Sequence, residues 1–101
     1  MIHVIASIEI RKENLTDFIE IFEANVPNVL AEKGCIEYAP TVDIETGFST
    51  QVIEANMVTI VEKWDSLEAL KAHLATPHMK DYQRKVKDMV ADLSLKVLQN
   101  A

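Results

Sequence analysis

The sequence predicts a single α+β domain over residues 1–101, because strand patterns and helix patterns alternate along a chain of this length. Apolar residues that recur at every second position predict half-buried strands, whereas apolar spacings of three or four predict amphipathic helices. The chain has only two glycines and three prolines, so long flexible linkers between these elements are not expected.

The beginning of the chain predicts a strand followed by a helix. Branched apolar residues alternate over Ile2–Ile10, and such side chains favour the pleated backbone. A helical repeat follows, with Asn14 as its N-cap and Gly34 as its C-terminal stop. Its apolar residues are Leu15, Phe18, Ile19, Phe22, Val26, Val29 and Leu30. Pro27 removes a backbone donor, so we expect a kink there or two helices that meet near Val26.

The middle of the chain predicts two strands joined by a long hairpin loop. The first strand covers Cys35–Asp43, and Pro40 within it favours an edge position or a bulge, because proline cannot donate to a neighbouring strand. The polar segment Ile44–Asn56 predicts the loop. Met57–Trp64 predicts the third strand, one face of which holds Val58, Ile60, Glu62 and Trp64.

Two helix starts and a closing strand complete the pattern. Asp65 and Glu68 have the spacing of a capping box, and Thr76 followed by Pro77 is a second start signal. The last helix presents an apolar stripe of Met79, Tyr82, Val86, Met89 and Val90. Leu93–Leu98 alternates as the closing strand. The order β-α-β-β-α(α)-β is that of the ferredoxin-like, split-βαβ fold, with helices on one face of an antiparallel sheet.

The other face of the predicted sheet also carries apolar residues, such as Ile5 and Val61. A sheet of this size would leave that face in water, and large exposed apolar patches usually mark an interface. We therefore expect a homodimer in which the two sheets pack face to face.

Composition and charge exclude several classes of protein. A formal net charge of −6 argues against a nucleic-acid partner or an anionic membrane surface. No apolar run approaches the roughly 20 residues of a membrane span. The start, MIHVIASIEIRKEN, has no basic region before its apolar run, and the single cysteine, Cys35, allows no internal disulfide. Together these features predict a cytoplasmic protein.

Three side chains are candidate proton acceptors. His73 and His78 qualify because imidazole is the natural general base near neutral pH. Glu62 shares a predicted strand face with Trp64, and burial there would raise the pKa of its carboxyl group. Each also has an ordinary interpretation, the histidines as helix-surface or cap residues and Glu62 as an exposed or lysine-paired carboxylate.

Aromatic side chains are candidates for the wall of a binding pocket. Trp64 offers a large flat face, and Tyr38 and Tyr82 can each donate a hydrogen bond within apolar surroundings. All three also have an ordinary interpretation as core residues. Cys35 is interpreted as a small buried apolar residue rather than a nucleophile. No histidine, cysteine or carboxylate pair has a familiar metal-ligand spacing, so no metal site is predicted.

Two segments of the chain resemble the antibiotic biosynthesis monooxygenase family: VPNVLAEKGCIEYAPTVD and EKWDSLEALKAHLATPHMKDYQRKVKDMV. The resemblance runs from Ile2 to Gln99 and is strongest to bacterial members that oxidise quinols such as menadiol. Its most specific residues are Ala69, His73, Pro77, His78 and Met79. It implies a dimeric α+β barrel with a cavity between sheet and helices in each subunit.

The resemblance also implies an activity, namely a cofactor-independent monooxygenase or oxidase that acts on quinols or related polycyclic aromatic phenols with O2. On this interpretation His73 or His78 accepts the phenolic proton. The residues assigned to substrate binding are Trp64, Leu70, Tyr38, Tyr82 and Glu62. No cofactor or metal is expected.

Three alternatives remain open to different degrees. Haem-degrading enzymes of the same fold use an Asn, a Trp and a His, but the matching positions here hold Ser7, His73 and Gln83, which argues against that activity. Isomerases of small phosphorylated signalling sugars would need an anion site, and Arg11 and Arg84 are the only arginines. A dimer that binds an aromatic or a quinone without real turnover is the third alternative.

Overall fold

The computed structural model describes residues 1–101 and contains a four-stranded antiparallel sheet with strand order β2-β3-β1-β4. The elements are β1 (Ile2–Ile10), α1 (Leu15–Leu30), β2 (Cys35–Thr41), β3 (Met57–Trp64), α2 (Leu67–Leu74), α3 (Pro77–Val86) and β4 (Val90–Gln99). A 3-10 turn over Lys12–Asn14 leads into α1. The predicted α+β, ferredoxin-like arrangement is confirmed, and the bounds of β1 and β3 are those predicted from the alternation.

Strand β1 lies at the centre of the sheet and fixes which side chains share a face. Val4 lies opposite Glu62 on β3 and opposite Val97 on β4. Directly opposite residues of an antiparallel pair point to the same side of the sheet. Glu62 therefore lies on the same face as the buried residues of β1, which are Val4, Ala6, Ile8 and Ile10.

The helices bury this face of the sheet and form one core with it. Phe18, Phe22 and Val29 are the buried side chains of α1, and their spacing of four and seven residues places them on one stripe. Burial of an aromatic side chain of this size contributes about 2–3 kcal/mol. The core also contains one fully buried indole, Trp64, at the end of β3.

The helical layer does not cover β4. All of its residues except Val90 are exposed, including Leu93, Leu95 and Val97. The register places these three opposite Ile8, Ala6 and Val4, so they lie on the helix-bearing face of the sheet. The core is therefore open along the β4 edge.

Helix α1 continues through Pro27 as one element, so the predicted alternative of two helices that meet near Val26 is wrong, and Phe22 and Val29 are buried on either side of the proline. The helix ends at Leu30, with Ala31 as its C-cap, so Gly34 is not its terminator. Gly34 instead has φ of +88° in the turn that leads to β2.

Several other predicted boundaries need correction. β2 is the edge strand, as Pro40 suggested, but it ends at Thr41 rather than Asp43. The N-cap of α2 is Ser66, whose side chain accepts a hydrogen bond from the amide of Ala69 (3.1 Å), so the predicted Asp65 capping box is wrong.

The Thr76 cap of α3 is confirmed, since its hydroxyl accepts a hydrogen bond from the Met79 amide. That helix ends at Val86, and the chain turns there, which excludes Met89 and Val90 from its stripe. β4 consequently begins at Val90 and is longer than the predicted Leu93–Leu98 strand. None of the helices combines the length and apolar character that crossing a membrane requires.

Candidate active site

A cavity of about 540 Å³ lies between the sheet and the helices. This volume falls within the range of about 300–1,000 Å³ that is typical of small-molecule sites. Sixteen of its 21 lining residues are hydrophobic. The polar and charged lining residues other than the two tyrosines are Glu62, Lys71, His73, Gln83 and Lys87. The cavity is thus a mostly apolar space with few polar groups, the arrangement typical of sites for small organic molecules.

The mouth of the cavity lies between β4 and the two short helices. Its exposed lining residues are Leu67, Lys71, Leu74, Gln83, Lys87, Leu93, Leu95 and Val97. The inner end is formed by buried side chains, among them Val4, Ile60 and Leu70. A ligand entering from β4 would therefore pass a rim that is apolar along β4 and carries Lys71, Gln83 and Lys87 on the helical side, and would reach Glu62 and His73 at the buried end.

Glu62 is the buried carboxylate of the cavity, with only 7% of its surface exposed. The indole N–H of Trp64 donates to Glu62 Oε1 at 3.0 Å, so the strand alternation that brings both residues to one face also joins them. Burial raises the pKa of Glu62, and the Trp64 hydrogen bond and nearby His73 offset part of that shift. A carboxylate with a raised pKa in an apolar cavity is a stronger proton acceptor than one in water.

Tyr38 and Tyr82 line the same cavity and belong to an aromatic cluster around Phe22. The rings of Phe22 and Tyr38 stack with centroids 5.2 Å apart, and Tyr82 meets Phe22 edge to face at 5.5 Å. Burial raises the pKa of both phenols, and the nearby charge of Glu62 adds to the shift. Both hydroxyl groups therefore stay protonated and can act as hydrogen-bond donors to a ligand.

His73 is the buried imidazole of the cavity, with 2% of its surface exposed. Its ring packs against Trp64 with centroids 4.6 Å apart and meets Tyr38 edge to face at 5.5 Å. Its Nδ1 lies 2.9 Å from Glu32 Oε2, within hydrogen-bond distance. Because Nδ1 is engaged, Nε2 is the nitrogen available to a ligand in the cavity.

His78 lies behind His73 and does not line the cavity. Its Nε2 is 3.1 Å from the same Glu32 oxygen, but the alignment is too poor for a hydrogen bond. The ring borders a smaller pocket of about 130 Å³ between α1 and α3, which also contacts Asn25, Asn28 and Asp81.

The structure brings five of the seven residues predicted for the site to the cavity, namely Tyr38, Glu62, Leu70, His73 and Tyr82. Trp64 is fully buried and is not among the lining residues. It donates a hydrogen bond to Glu62 and packs against the ring of His73. Sequence reasoning missed Glu32, which contacts both histidines. Glu32 is 41 positions before His73, and no spacing in the sequence could reveal that contact.

Cys35 remains outside the candidate machinery. Burial, with Glu32 and Glu62 close by, raises the pKa of its thiol to about 11, so it is a thiol rather than a thiolate at neutral pH. The structure contains no group of three or more His, Cys, Asp or Glu side chains placed to hold a metal ion.

Comparison with known proteins places these features in a family. Residues 1–85 match the family described as "Antibiotic biosynthesis monooxygenase". The chain is 40% identical over 101 residues to the Escherichia coli (strain K12) protein "Probable quinol monooxygenase YgiN", a match that covers 98% of this chain and 97% of that protein.

Two solved structures share the fold over almost the whole chain. A conserved protein from Methanosarcina mazei Go1 superposes with a TM-score of 0.85 at 19% identity, covering 99% of this chain and 92% of that one. Rv0793 from Mycobacterium tuberculosis superposes with a TM-score of 0.83 at 21% identity, covering 99% and 94%. The family match over residues 1–85 and the 40% identity together establish that this chain belongs to the antibiotic biosynthesis monooxygenase family.

Proposed function

We propose that the protein oxidises quinols or related polycyclic aromatic phenols with O2 and without a cofactor. The observation that carries the proposal is the convergence of two proton acceptors and two phenolic donors in a cavity whose other polar lining residues, Lys71, Gln83 and Lys87, lie on the exposed rim. The acceptors are His73 and Glu62, and the donors are Tyr38 and Tyr82. The name of the 40% identical relative, a quinol monooxygenase, supports the same substrate class.

The reaction can draw its electrons from the substrate itself. Loss of a phenolic proton gives an anion that passes one electron to O2, which forms a semiquinone and superoxide. A hydrogen atom from the semiquinone and the stored proton then convert superoxide to hydrogen peroxide and leave a quinone. Alternatively, the two radicals combine at a ring carbon, take up the proton and lose water, which inserts one oxygen atom.

The cavity offers a group for each requirement of this chemistry. His73 accepts the phenolic proton at Nε2, and Glu62 is the second candidate acceptor because its pKa is raised. Tyr38 and Tyr82 donate hydrogen bonds to the substrate oxygens as their charge develops. The apolar walls, including Leu70, exclude water from the radical pair.

An isomerase of phosphorylated sugars fits these residues less well. Arg11 donates to the Asp88 carbonyl and Arg84 pairs with Asp81, and neither arginine lines the cavity. The cavity's cations are Lys71 and Lys87, both on its exposed rim rather than at its buried end. A phosphate group would therefore face an apolar wall next to a buried carboxylate.

We also propose that the protein works as a homodimer in the cytoplasm. The apolar residues on the sheet face away from the helices support the dimer. The single free cysteine, Cys35, fits a reducing compartment.

Oxygen uptake by the purified protein tests the activity. A panel of benzene-, naphthalene- and anthracene-diols is followed with and without protein, at several protein concentrations. We expect uptake above the spontaneous rate that is proportional to protein and continues for many turnovers. Uptake that slows, or that stops at one equivalent, identifies a binding protein instead.

Labelling with ¹⁸O2 distinguishes the two oxidative outcomes. Incorporation of one labelled atom into the organic product identifies a monooxygenase, whereas labelled hydrogen peroxide identifies an oxidase. The absence of any saturable effect of the protein on any diol would contradict both the oxidation and the binding interpretation.

A further inference from the structure

The carboxylate of Glu32 lies between two imidazoles. Its Oε2 is 2.9 Å from His73 Nδ1 and 3.1 Å from His78 Nε2. The side chain of Glu32 is 13% exposed, that of His73 is 2% exposed and that of His78 is 25% exposed. Burial of a charged carboxylate costs free energy unless its partners replace the lost hydration. We therefore interpret the contact with the two imidazoles as a structural part of the fold.

Three different segments of the chain build this cluster. Glu32 lies in the turn between α1 and β2, His73 in the last turn of α2, and His78 in the first turn of α3. The turn is tied to the segment between β3 and α2 by the Asp65 amide, which donates to the Gly34 carbonyl at 2.8 Å. The position of Glu32 relative to His73 is therefore set by the packing of α2 on this turn.

An ionised carboxylate can only accept hydrogen bonds, so the contact selects the tautomer of His73. The neutral ring must carry its proton on Nδ1, which faces Glu32, and its lone pair on Nε2. Glu32 does not line the cavity, whereas His73 does. The tautomer that Glu32 selects is thus the one that leaves a basic nitrogen for a ligand in the cavity.

We infer that Glu32 is the positioning residue of the proposed oxidation, holding His73 in the tautomer and orientation that make Nε2 the proton acceptor; this inference rests on the proposed function. When the phenolic O–H bond breaks, its electron pair stays on oxygen and the proton binds Nε2. The products are a phenolate and an imidazolium, and the imidazolium is stabilised by the Glu32 charge beside it.

His78 has a lesser part in this arrangement. Its contact with Glu32 is close but misaligned, and neither of its ring nitrogens has a hydrogen-bond partner. We therefore expect substitution of His78 to change the reaction less than substitution of Glu32.

Other titratable or charged groups also surround His73. Glu62 from β3 acts on it through charge, and Tyr38 from β2 contacts its ring. The titratable or charged groups close to this cluster from all packed elements are Glu32, Cys35, Tyr38, Glu62, Lys71 and His78. Among them, Glu32 alone is hydrogen-bonded to the imidazole of His73, so its substitution gives the most specific change.

The test combines nitrogen NMR of the histidine rings with steady-state kinetics of Glu32→Gln. In the wild-type protein at pH 8, ¹⁵N shifts should show a protonated Nδ1 and an unprotonated Nε2 for His73, assigned with His3→Gln and His78→Gln. In Glu32→Gln we expect kcat to fall by about tenfold or more, with KM within about twofold. In the same variant the ¹⁵N shifts of His73 should show a larger share of the ring protonated on Nε2, because the Gln amide can either accept from or donate to Nδ1 and no longer selects one tautomer.

Two further variants control for folding and for general charge effects. Glu32→Asp keeps the charge and should recover part of kcat, even if Glu32→Gln folds poorly. Glu37→Gln removes a half-exposed carboxylate, paired with Lys63 at 3.6 Å, and should leave kcat and the ¹⁵N shifts of His73 unchanged.

Either of two results would overturn the inference. One is a wild-type His73 that is protonated on Nε2 at pH 8. The other is a folded Glu32→Gln variant with wild-type kcat and wild-type ¹⁵N shifts of His73. If the wild-type protein oxidises no quinol, the proposed function fails, whereas the NMR measurement still decides whether Glu32 selects the tautomer.

Discussion

Glu62 shows how a single strand position can combine stability and chemistry. A carboxylate at an alternating core position of β3 would ordinarily be excluded from an apolar face. Here it accepts a hydrogen bond from the Trp64 indole, two residues along the same strand. The hydrogen bond offsets only part of the lost hydration, so the pKa of Glu62 stays raised. We interpret the part of the lost hydration that this hydrogen bond does not replace as the reason why Glu62 is a stronger base than an exposed carboxylate.

Because burial disfavours the charged form of Glu62, the difference in stability between Glu62→Gln and the wild-type protein should depend on pH. Because the folded-state pKa is raised, the carboxyl group ionises first in the unfolded chain, and the contribution of Glu62 to stability falls as the pH rises above its unfolded-state pKa of about 4.3. The amide cannot ionise and can still accept the Trp64 hydrogen bond. We expect the variant to have the higher melting temperature at pH 8 and the difference to shrink toward pH 4.

Thermal unfolding monitored by circular dichroism between pH 4 and pH 8 measures this difference. Glu37→Gln is the matched control, because Glu37 is far more exposed than Glu62 and should show no gain at pH 8. A Glu62→Gln variant that is less stable than wild type, by a margin that grows with pH, would show that the charged form is favoured by folding.

At the scale of elements, the turn between α1 and β2 controls where α2 lies. Gly34 has φ of +88°, a conformation that side-chain-bearing residues rarely adopt. A Cβ atom placed on Gly34 would lie 2.7 Å from the Cβ of Ala69 on α2. This close approach of turn and helix is also what brings Glu32 next to His73.

Replacement of the two glycines by alanine separates the two effects. Gly34→Ala suffers both the backbone strain and the clash with Ala69, and should lower the free energy of unfolding by about 2–5 kcal/mol. Gly47 has a similar φ of +77° but no atom within 4 Å of the added Cβ, so Gly47→Ala should cost only about 1–2 kcal/mol.

Urea denaturation of both variants measures the two costs. Oxygen uptake by the Gly34→Ala protein should also fall, since a displaced α2 carries His73 away from Glu32. Equal destabilisation by the two substitutions would mean that the contact with Ala69 relaxes without cost.

At the scale of the whole molecule, both faces of the sheet carry exposed apolar surface. Ile5 and Val61 are directly paired and only half-buried on the face away from the helices. The long loop adds Ile44, Phe48 and Val52, whose exposed fractions are 73%, 69% and 80%. So much apolar surface on a chain of 101 residues favours a partner, and we predict a second copy of the chain.

Substitution on this face should separate the predicted dimer. The wild-type protein is expected to have about twice the chain mass of 11.4 kDa in light scattering coupled to size exclusion. Val61→Lys places a cation beside Lys63 on the predicted interface and should yield the single-chain mass. Leu30→Lys, on an exposed apolar residue at the end of α1, should remain dimeric. A wild-type protein with the single-chain mass would contradict the prediction.

The sequence predicted the order of elements because alternation and helical spacing are local patterns, which survive in β1, β3 and α3. It misplaced the cap of α2, because Asp65 and Ser66 are both good caps and only the backbone direction chooses between them. Of the site, it predicted the groups that lie on regular elements. It could not reveal the contact of Glu32 with His73, because this contact depends on how α2 packs on a distant turn.

Oxygen uptake by His73→Gln tests the central claim most directly, namely that a buried histidine in the apolar cavity accepts the substrate's proton. His3→Gln is the matched control, since His3 lies outside the cavity and bonds Asn100. The measured quantity is the rate above the spontaneous reaction with a naphthalene-diol in excess. We expect this rate to be at least about tenfold lower in His73→Gln than in the wild-type protein, and to be unchanged in His3→Gln. A folded His73→Gln protein with the full wild-type rate would contradict the account.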